Sequence, residues 1–135
     1  MIDPVTLAVV AGLRLVNPQP IDLKNVECLA DAIYFESRNQ PLAAQVGVAS
    51  AVVNRGRPCA VVRQPHQFSY RKIKHRRRTD QKAWKQALEV AVLVHSRAVQ
   101  PYEATHFHDT SVTPAWTARM TFIGQAGDMK FWRAL

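Results

Sequence analysis

Glu36 stands in the stretch "IYFESRNQP", two residues after Tyr34 and two before Arg38, inside a run with the apolar spacing of a helix face. A carboxylate in such a place has two possible fates. On a solvated helix surface it is an ordinary charged residue, the common case. Half buried, it keeps its proton up to neutral pH and can serve as a general acid. At 100° per residue, Glu36 borders the stripe formed by Val26, Leu29, Ala30, Ile33, Tyr34 and Ser37 and falls beside Leu29. The second fate is open to it.

The other candidate residues carry weaker signals. His106 and His108 in "HFHD" alternate on one strand face, and Asp109 follows. Two histidines at i and i+2 can ligate zinc, but a third ligand with credible spacing is missing. They read better as histidines that hydrogen-bond a polar ligand, and no metal or cofactor is expected. Neither Cys59 nor Ser69 lies in a motif that supplies a base or an oxyanion hole. The five glycines are scattered, which excludes a phosphate-cradling loop. Cys28 and Cys59 are too few for a disulfide framework. They read as buried free thiols, with one disulfide open to a protein working outside the cytosol.

These residues must be held by a small set of elements. Asn25 is the expected N-cap of the helix that carries Glu36, and Asn39 with Pro41 marks the break before the next one. That next helix, "PLAAQVGVASAVVNRG", is apolar almost all round and should be the buried central helix, stopped by Gly56. A loop from Arg57 to Tyr70 carries "QFSY". A third helix is expected from Thr79 to Val99, with Trp84, Leu88, Ala91 and His95 on one side and Pro101 blocking continuation. From Ala104 the pattern changes. "THFHD", "TARMTFIG" and "MKFWR" read as small strands and a hairpin set apart by "GQAGD", which makes an α+β domain.

With 135 residues, 47% of them hydrophobic, the chain can bury one core. Its net charge of +8 calls for an anionic partner: nucleic acid, a membrane surface or an acidic polymer. Residues 71–85 concentrate eight Lys or Arg against one Asp. Only Tyr70 and Trp84 flank that run, so it lacks the interleaved aromatics of a single-strand binding surface. A basic nucleic-acid-binding module is therefore the alternative of a different class. The apolar run from Val5 to Val16 is shorter than the roughly 20 residues a bilayer span needs, and it lacks the basic start of a secretory signal. Residues 1–24 are expected to form a short helix or arm packed on the domain formed by 25–135.

Read together, "CLADAIYFESRNQPLAAQVGVASAVVNR", "CAVV", "QFSY", "ATHFH…PAW" and "IGQAG…FWR" resemble the SleB-type cell wall hydrolases, spore cortex-lytic enzymes also found among phage endolysins. The resemblance runs from Cys28 to Arg133. It implies a lysozyme or lytic-transglycosylase-like fold, mostly helical with a small β-hairpin element, acting on peptidoglycan glycan strands. The family's catalytic glutamate stands in Tyr-x-Glu-Ala-Arg-Gly, which Tyr34-Phe35-Glu36-Ser37-Arg38-Asn39 matches with Ser for Ala and Asn for Gly. Met129 stands where the family often has a histidine in His-x-Phe-Tyr-Arg.

The catalytic role thus carries to Glu36. Tyr34, Gln67, Phe68, Ser69, Tyr70, Thr105, His106, His108 and Trp116 are the candidates for sugar binding, because aromatic faces stack on pyranose rings and polar groups bond N-acetyl substituents. The expected bond is the β-1,4 link between N-acetylmuramic acid and N-acetylglucosamine. Asp31, Glu103 and Asp109 are the possible second carboxylates, none in a marking motif, so single-acid transglycosylase chemistry is favoured over muramidase hydrolysis. By analogy a phage endolysin is expected, a monomer made in the host cytoplasm that acts on the wall, with its basic surface toward the anionic envelope.

Overall fold

The computed structural model describes residues 20–64, 68–72 and 77–135. Residues 1–19 of the expected N-terminal arm and Gln67 lie outside the described residues, as does the side chain of Ser69, while Leu23 and Lys24 belong to the first helix.

Helix α1 (Leu23–Ser37) begins three residues earlier than its sequence pattern suggests, because Asp22 is its cap. The Asp22 carboxylate accepts from the amides of Lys24 (2.9 Å) and Asn25 (3.3 Å), filling two donors that a helix start leaves open. Asn25 is used elsewhere, its side-chain oxygen accepting from the amide of Cys59. Helix α2 (Leu42–Arg55) is the central helix, with nine consecutive buried residues from Ala44 to Val52. It ends at Gly56, whose φ of 143° a side chain would not tolerate. A short helix α3 (Pro58–Val62) then forms in what reads as loop, its proline in the first turn where no amide donor is needed. Helix α4 (Gln81–His95) is capped by Asp80, which accepts from the Ala83 amide. It stops well before Pro101, since Arg97 turns into the left-handed region at φ 60°.

Three antiparallel strands follow: β1 (His106–Asp109), β2 (Met120–Ala126) and β3 (Met129–Ala134), in the order β1-β3-β2. A 3₁₀ turn (Ala115–Arg119) precedes β2. "GQA" belongs to β2 rather than to a connecting loop, so the hairpin turn is only Gly127–Asp128. The pairing of β2 with β3 slips between Phe122 and Gly124, leaving Ile123 as the extra residue of a bulge. The fold is α+β, four helices and one small sheet among the described residues.

The sheet packs on α2 through one close approach. Phe131 of β3 lies over Gly47 so tightly that a Cβ on Gly47 would sit 2.5 Å from the ring. At the other end of α2, the Asn54 side-chain amide donates to the carbonyls of Tyr102 (2.6 Å) and Ala104 (2.8 Å), fixing the chain where it runs into β1. Ser50 accepts from the Tyr102 amide.

The cysteines are not free thiols. Cys28 of α1 and Cys59 of α3 form a disulfide, with Cα atoms 5.1 Å apart. The 31-residue separation it closes corresponds, by loop entropy, to about 4 kcal/mol of stability.

The Gly47 contact gives a paired test. Gly47→Ala should lower unfolding free energy by about 1–3 kcal/mol through overpacking against Phe131. Gly124→Ala, where a Cβ meets nothing within 4 Å, should stay within about 0.5 kcal/mol apart from a small propensity term. Urea midpoints of the two variants check both.

Candidate active site

Glu36 lies in the last turn of α1. Leu29, Ala32 and Ile33, which occupy the same flank one and two turns earlier, are all fully buried. The Glu36 side chain thus rises from apolar surroundings and is itself half-buried. Desolvation of the charged form pushes its pKa from 4.5 up to about 7. The negative end of the helix dipole disfavours an anion there as well. A carboxyl of that kind can donate a proton near neutral pH and take one back.

The elements around α1 keep that turn in place. Arg78 makes a two-point ion pair with Asp31 (2.7 and 3.0 Å) and a third hydrogen bond to Glu27 (3.0 Å), while its guanidinium lies 3.9 Å over the Trp84 ring. The Tyr34 hydroxyl accepts from the Asp80 amide at the start of α4. Beyond Glu36, the hairpin turn docks on the α1–α2 connection: the Asp128 amide donates to the Gln40 side chain at 2.9 Å. Gly127, at φ 55°, touches Gln40 and Pro41 where any Cβ would collide.

Beside Glu36, Phe35 stacks on Tyr70 with ring centres 5.1 Å apart and planes 20° from parallel. Tyr70 meets Phe68 edge-on, and Phe68 meets Phe107 of β1. The short 3₁₀ segment at Ser69–Lys72 is thus fastened between α1 and the sheet by aromatic contacts.

None of the other three candidate carboxylates resembles Glu36. Asp31 is held by Arg78 and points about 140° around α1 from Glu36. Glu103 pairs with Arg133 at the surface. Asp109 closes a local turn by accepting from the Ser111 amide, and the Ser111 side chain first, then that amide, hold its carboxyl below the usual range. Among the described residues, no group of three or more His, Cys, Asp or Glu could hold a metal ion.

Residues 39–132 match the Cell Wall Hydrolase family. The chain belongs to that family. The matched segment begins three residues after Glu36, so the match speaks for the domain rather than for the acid. The fold is that of the catalytic domain of the Bacillus cereus SleB protein, at TM-score 0.59 and 19% identity, covering 86% of this chain and 94% of that one. No curated protein matches. The family makes this chain an enzyme acting on the cell wall.

In this hydrolase the sugar-binding candidates whose side chains are described divide into two groups. Tyr34, Phe68 and Tyr70 are at most 4% exposed and pack in the core, Tyr34 with its hydroxyl already engaged. Thr105, His106, His108 and Trp116 gather elsewhere. Phe107 faces the helices, meeting Phe68 and Phe131, so strand alternation puts His106 and His108 on the sheet's other face. Trp116 sits against both histidine rings there, at 5.5 and 5.6 Å. Burial first, then the nearby charge of Arg55, keeps His106 below its ordinary pKa.

Sequence reasoning missed two features. Arg78 looks like one more charge in a basic run, and only the Glu27/Asp31 spacing on α1 hints that a cation sits there. An apolar depression of about 190 Å³, lined by Ala43, Tyr102, Ile123, Gly124, Gln125, Ala126 and Phe131, opens between α2 and β2. The bulge that shapes it leaves no sequence signal beyond Gly124.

The raised Glu36 pKa has signed consequences. Between pH 4.5 and about 7 the folded chain keeps a proton that the unfolded chain has released, so stability falls as pH rises through that window. Glu36→Gln should therefore gain about 1–3 kcal/mol at pH 8 and little at pH 4, read by chemical denaturation at both pH values. The same variant should lose wall lysis by a factor of about 10² to 10⁴ or more. The native kcat/KM should fall above pH about 7 as the acid form is lost.

Proposed function

We propose that the protein cleaves peptidoglycan glycan strands at the β-1,4 bond between N-acetylmuramic acid and N-acetylglucosamine, with Glu36 as the acid that protonates the leaving oxygen. The observation that carries this reading is a half-buried carboxyl over Leu29, Ala32 and Ile33, with its pKa raised to about 7. Membership in the cell wall hydrolase family supplies the substrate compartment.

The favoured chemistry is that of a lytic transglycosylase. Glu36 gives its proton to the glycosidic oxygen as the bond breaks. As carboxylate it then takes the proton of the muramic acid 6-hydroxyl, which attacks C1 and closes a 1,6-anhydro ring. One acid/base suffices, because the attacking group is already tethered to the reacting centre. Hydrolysis would need a second carboxylate roughly 5 to 9.5 Å away to act as nucleophile or to position water. The engagement of Asp31, Glu103 and Asp109 with Arg78, Arg133 and Ser111 favours the single-acid route.

The Cys28–Cys59 disulfide fits work in an oxidising compartment, where peptidoglycan is found. Host-cell lysis by a phage endolysin is the biological role we favour, with the bond closing after the chain leaves the cytoplasm. Among the described residues, no helix is long and apolar enough to cross a membrane. The basic surface would hold the enzyme to the anionic wall. Arg78 is not part of that surface, since its charge is spent on Asp31 and Glu27. Arg71 and Arg77 are exposed.

Mass spectrometry of digested peptidoglycan tests the reaction type. Anhydromuramic ends, one water lighter than reducing ends, are expected throughout. The amide variants of Glu103 and Asp109 should keep most of their activity. Reducing ends, with one of those variants inactive, would establish a two-carboxylate hydrolase instead. For attachment, replacing Arg71 and Arg77 with Gln should weaken wall binding most at low salt, where screening is least. Pelleting assays at two ionic strengths measure it.

A further inference from the structure

Two buried nitrogens on the outer face of the sheet have no hydrogen-bond partner among the described residues: Nε2 of His108 and Nε1 of Trp132. Such orphans are rare, and each is unfavourable unless a ligand or water satisfies it. Their polarity can be read from their surroundings. His108 Nδ1 lies 2.8 Å from the carbonyl oxygen of Asp109, which only accepts, so Nδ1 carries the proton. In the neutral ring Nε2 is then an acceptor. The indole Nε1–H of Trp132 is a donor and nothing else. The two rings lie side by side, with centres 6.0 Å apart and planes 23° from parallel. One unmet acceptor and one unmet donor therefore share a single cluster.

The walls of the cluster are aromatic. Trp116, half exposed on the 3₁₀ turn ahead of β2, stands edge-on to His108. Phe122, 51% exposed, meets Trp132 edge-on at 5.0 Å. Trp116 thus flanks the pair on the His108 side and the exposed Phe122 flanks it on the Trp132 side, giving the cluster an apolar rim. A secondary amide satisfies both, its N–H donating to His108 from one edge and its carbonyl accepting from Trp132 at the opposite edge, as a bridging water also would. An amide on a ring with an apolar face is an N-acetylated hexosamine.

We propose that His108, Trp132, Trp116 and Phe122 form a second saccharide-binding site for N-acetylhexosamine units, on the sheet face turned away from α2. It rests on the wall-glycan reading only for the biological source of the sugar. The sugar ring lies against the aromatic rim, with its acetamido group at the two nitrogens. A site of this kind holds the enzyme on a polymeric wall between cuts and adds avidity without touching the reacting bond.

The test is a titration of ¹⁵N-labelled Glu36→Gln protein with triacetylchitotriose, followed through the indole N–H signals. No cleavage is read, so failure of the Glu36 assignment cannot masquerade as failure of this site. The Trp132 indole proton should move downfield and saturate, together with the Trp116 signal. Cellotriose, which has hydroxyls in place of the acetamido groups, should bind at least about tenfold more weakly. In Trp132→Phe, which keeps a ring and removes only the donor, the Trp116 signal should report affinity about tenfold lower. An unmoved Trp132 signal at millimolar sugar would overturn the proposal, as a water buried at the two nitrogens would give that result. Equal shifts with cellotriose would overturn it too.

Discussion

The rest of the structure is organised around the desolvation of one carboxyl. Burying an acid over Leu29, Ala32 and Ile33 raises its pKa to about 7, and the same burial works against folding whenever the group is ionised. A buried acid of this type cannot be relaxed into comfort. If α1 could roll by a fraction of a turn, Glu36 would reach water, ionise freely and cease to be an acid at neutral pH. The surrounding chain has to prevent that roll.

Restraints at three heights along α1 do so, each by different chemistry. The disulfide fastens its first turns to α3. The Arg78 fork on Asp31, backed by Glu27 and the Trp84 ring, resists rotation in the middle because a two-point pair fixes direction as well as distance. Past the final turn, Gln40 is gripped by the Asp128 amide and Gly127 packs on Pro41, so the sheet's hairpin holds the end of α1. The sheet in turn is seated on α2 by Phe131 over Gly47. Position is thus passed from sheet to hairpin turn to the residues that follow Glu36.

Much of this could be read from the chain, and the reasons for the gaps are physical. Helical spacing across Val26, Leu29 and Ile33 placed Glu36 at the edge of a buried stripe, and the alternation in "HFHD" put both histidines on one face. What spacing cannot convey is which partner a polar group chooses. Asn25 and Asp22 are equally good caps in isolation, and tertiary contact with Cys59 decided between them. Two cysteines 31 residues apart carry no pairing signal. Arg78 looked solvated because its acids lie 47 and 51 residues away. The left-handed turn at Arg97 ended α4 where a helix-compatible sequence continued. The sheet's orientation was equally hidden, since alternation says that His106 and His108 share a face but not which face meets the helices. Phe107 against Phe131 and Phe68 settles that.

The magnitudes link the acid to the disulfide. Holding Glu36 ionised in the folded chain costs on the order of 3 kcal/mol above neutral pH. Closing a 31-residue separation contributes about 4 kcal/mol, and only in the oxidised state. The two terms are close in size and opposite in sign, against a total stability for such a domain of roughly 5–15 kcal/mol. A reduced chain at alkaline pH bears the strain without the staple, whereas an oxidised chain at mildly acidic pH has the staple and little of the strain. The conditions that stabilise the fold best are also those that keep Glu36 protonated, so stability and acid strength favour the same environment. In this chain the usual conflict between a strained site and a durable fold is eased by an oxidised disulfide and a mildly acidic pH, with no enlargement of the core.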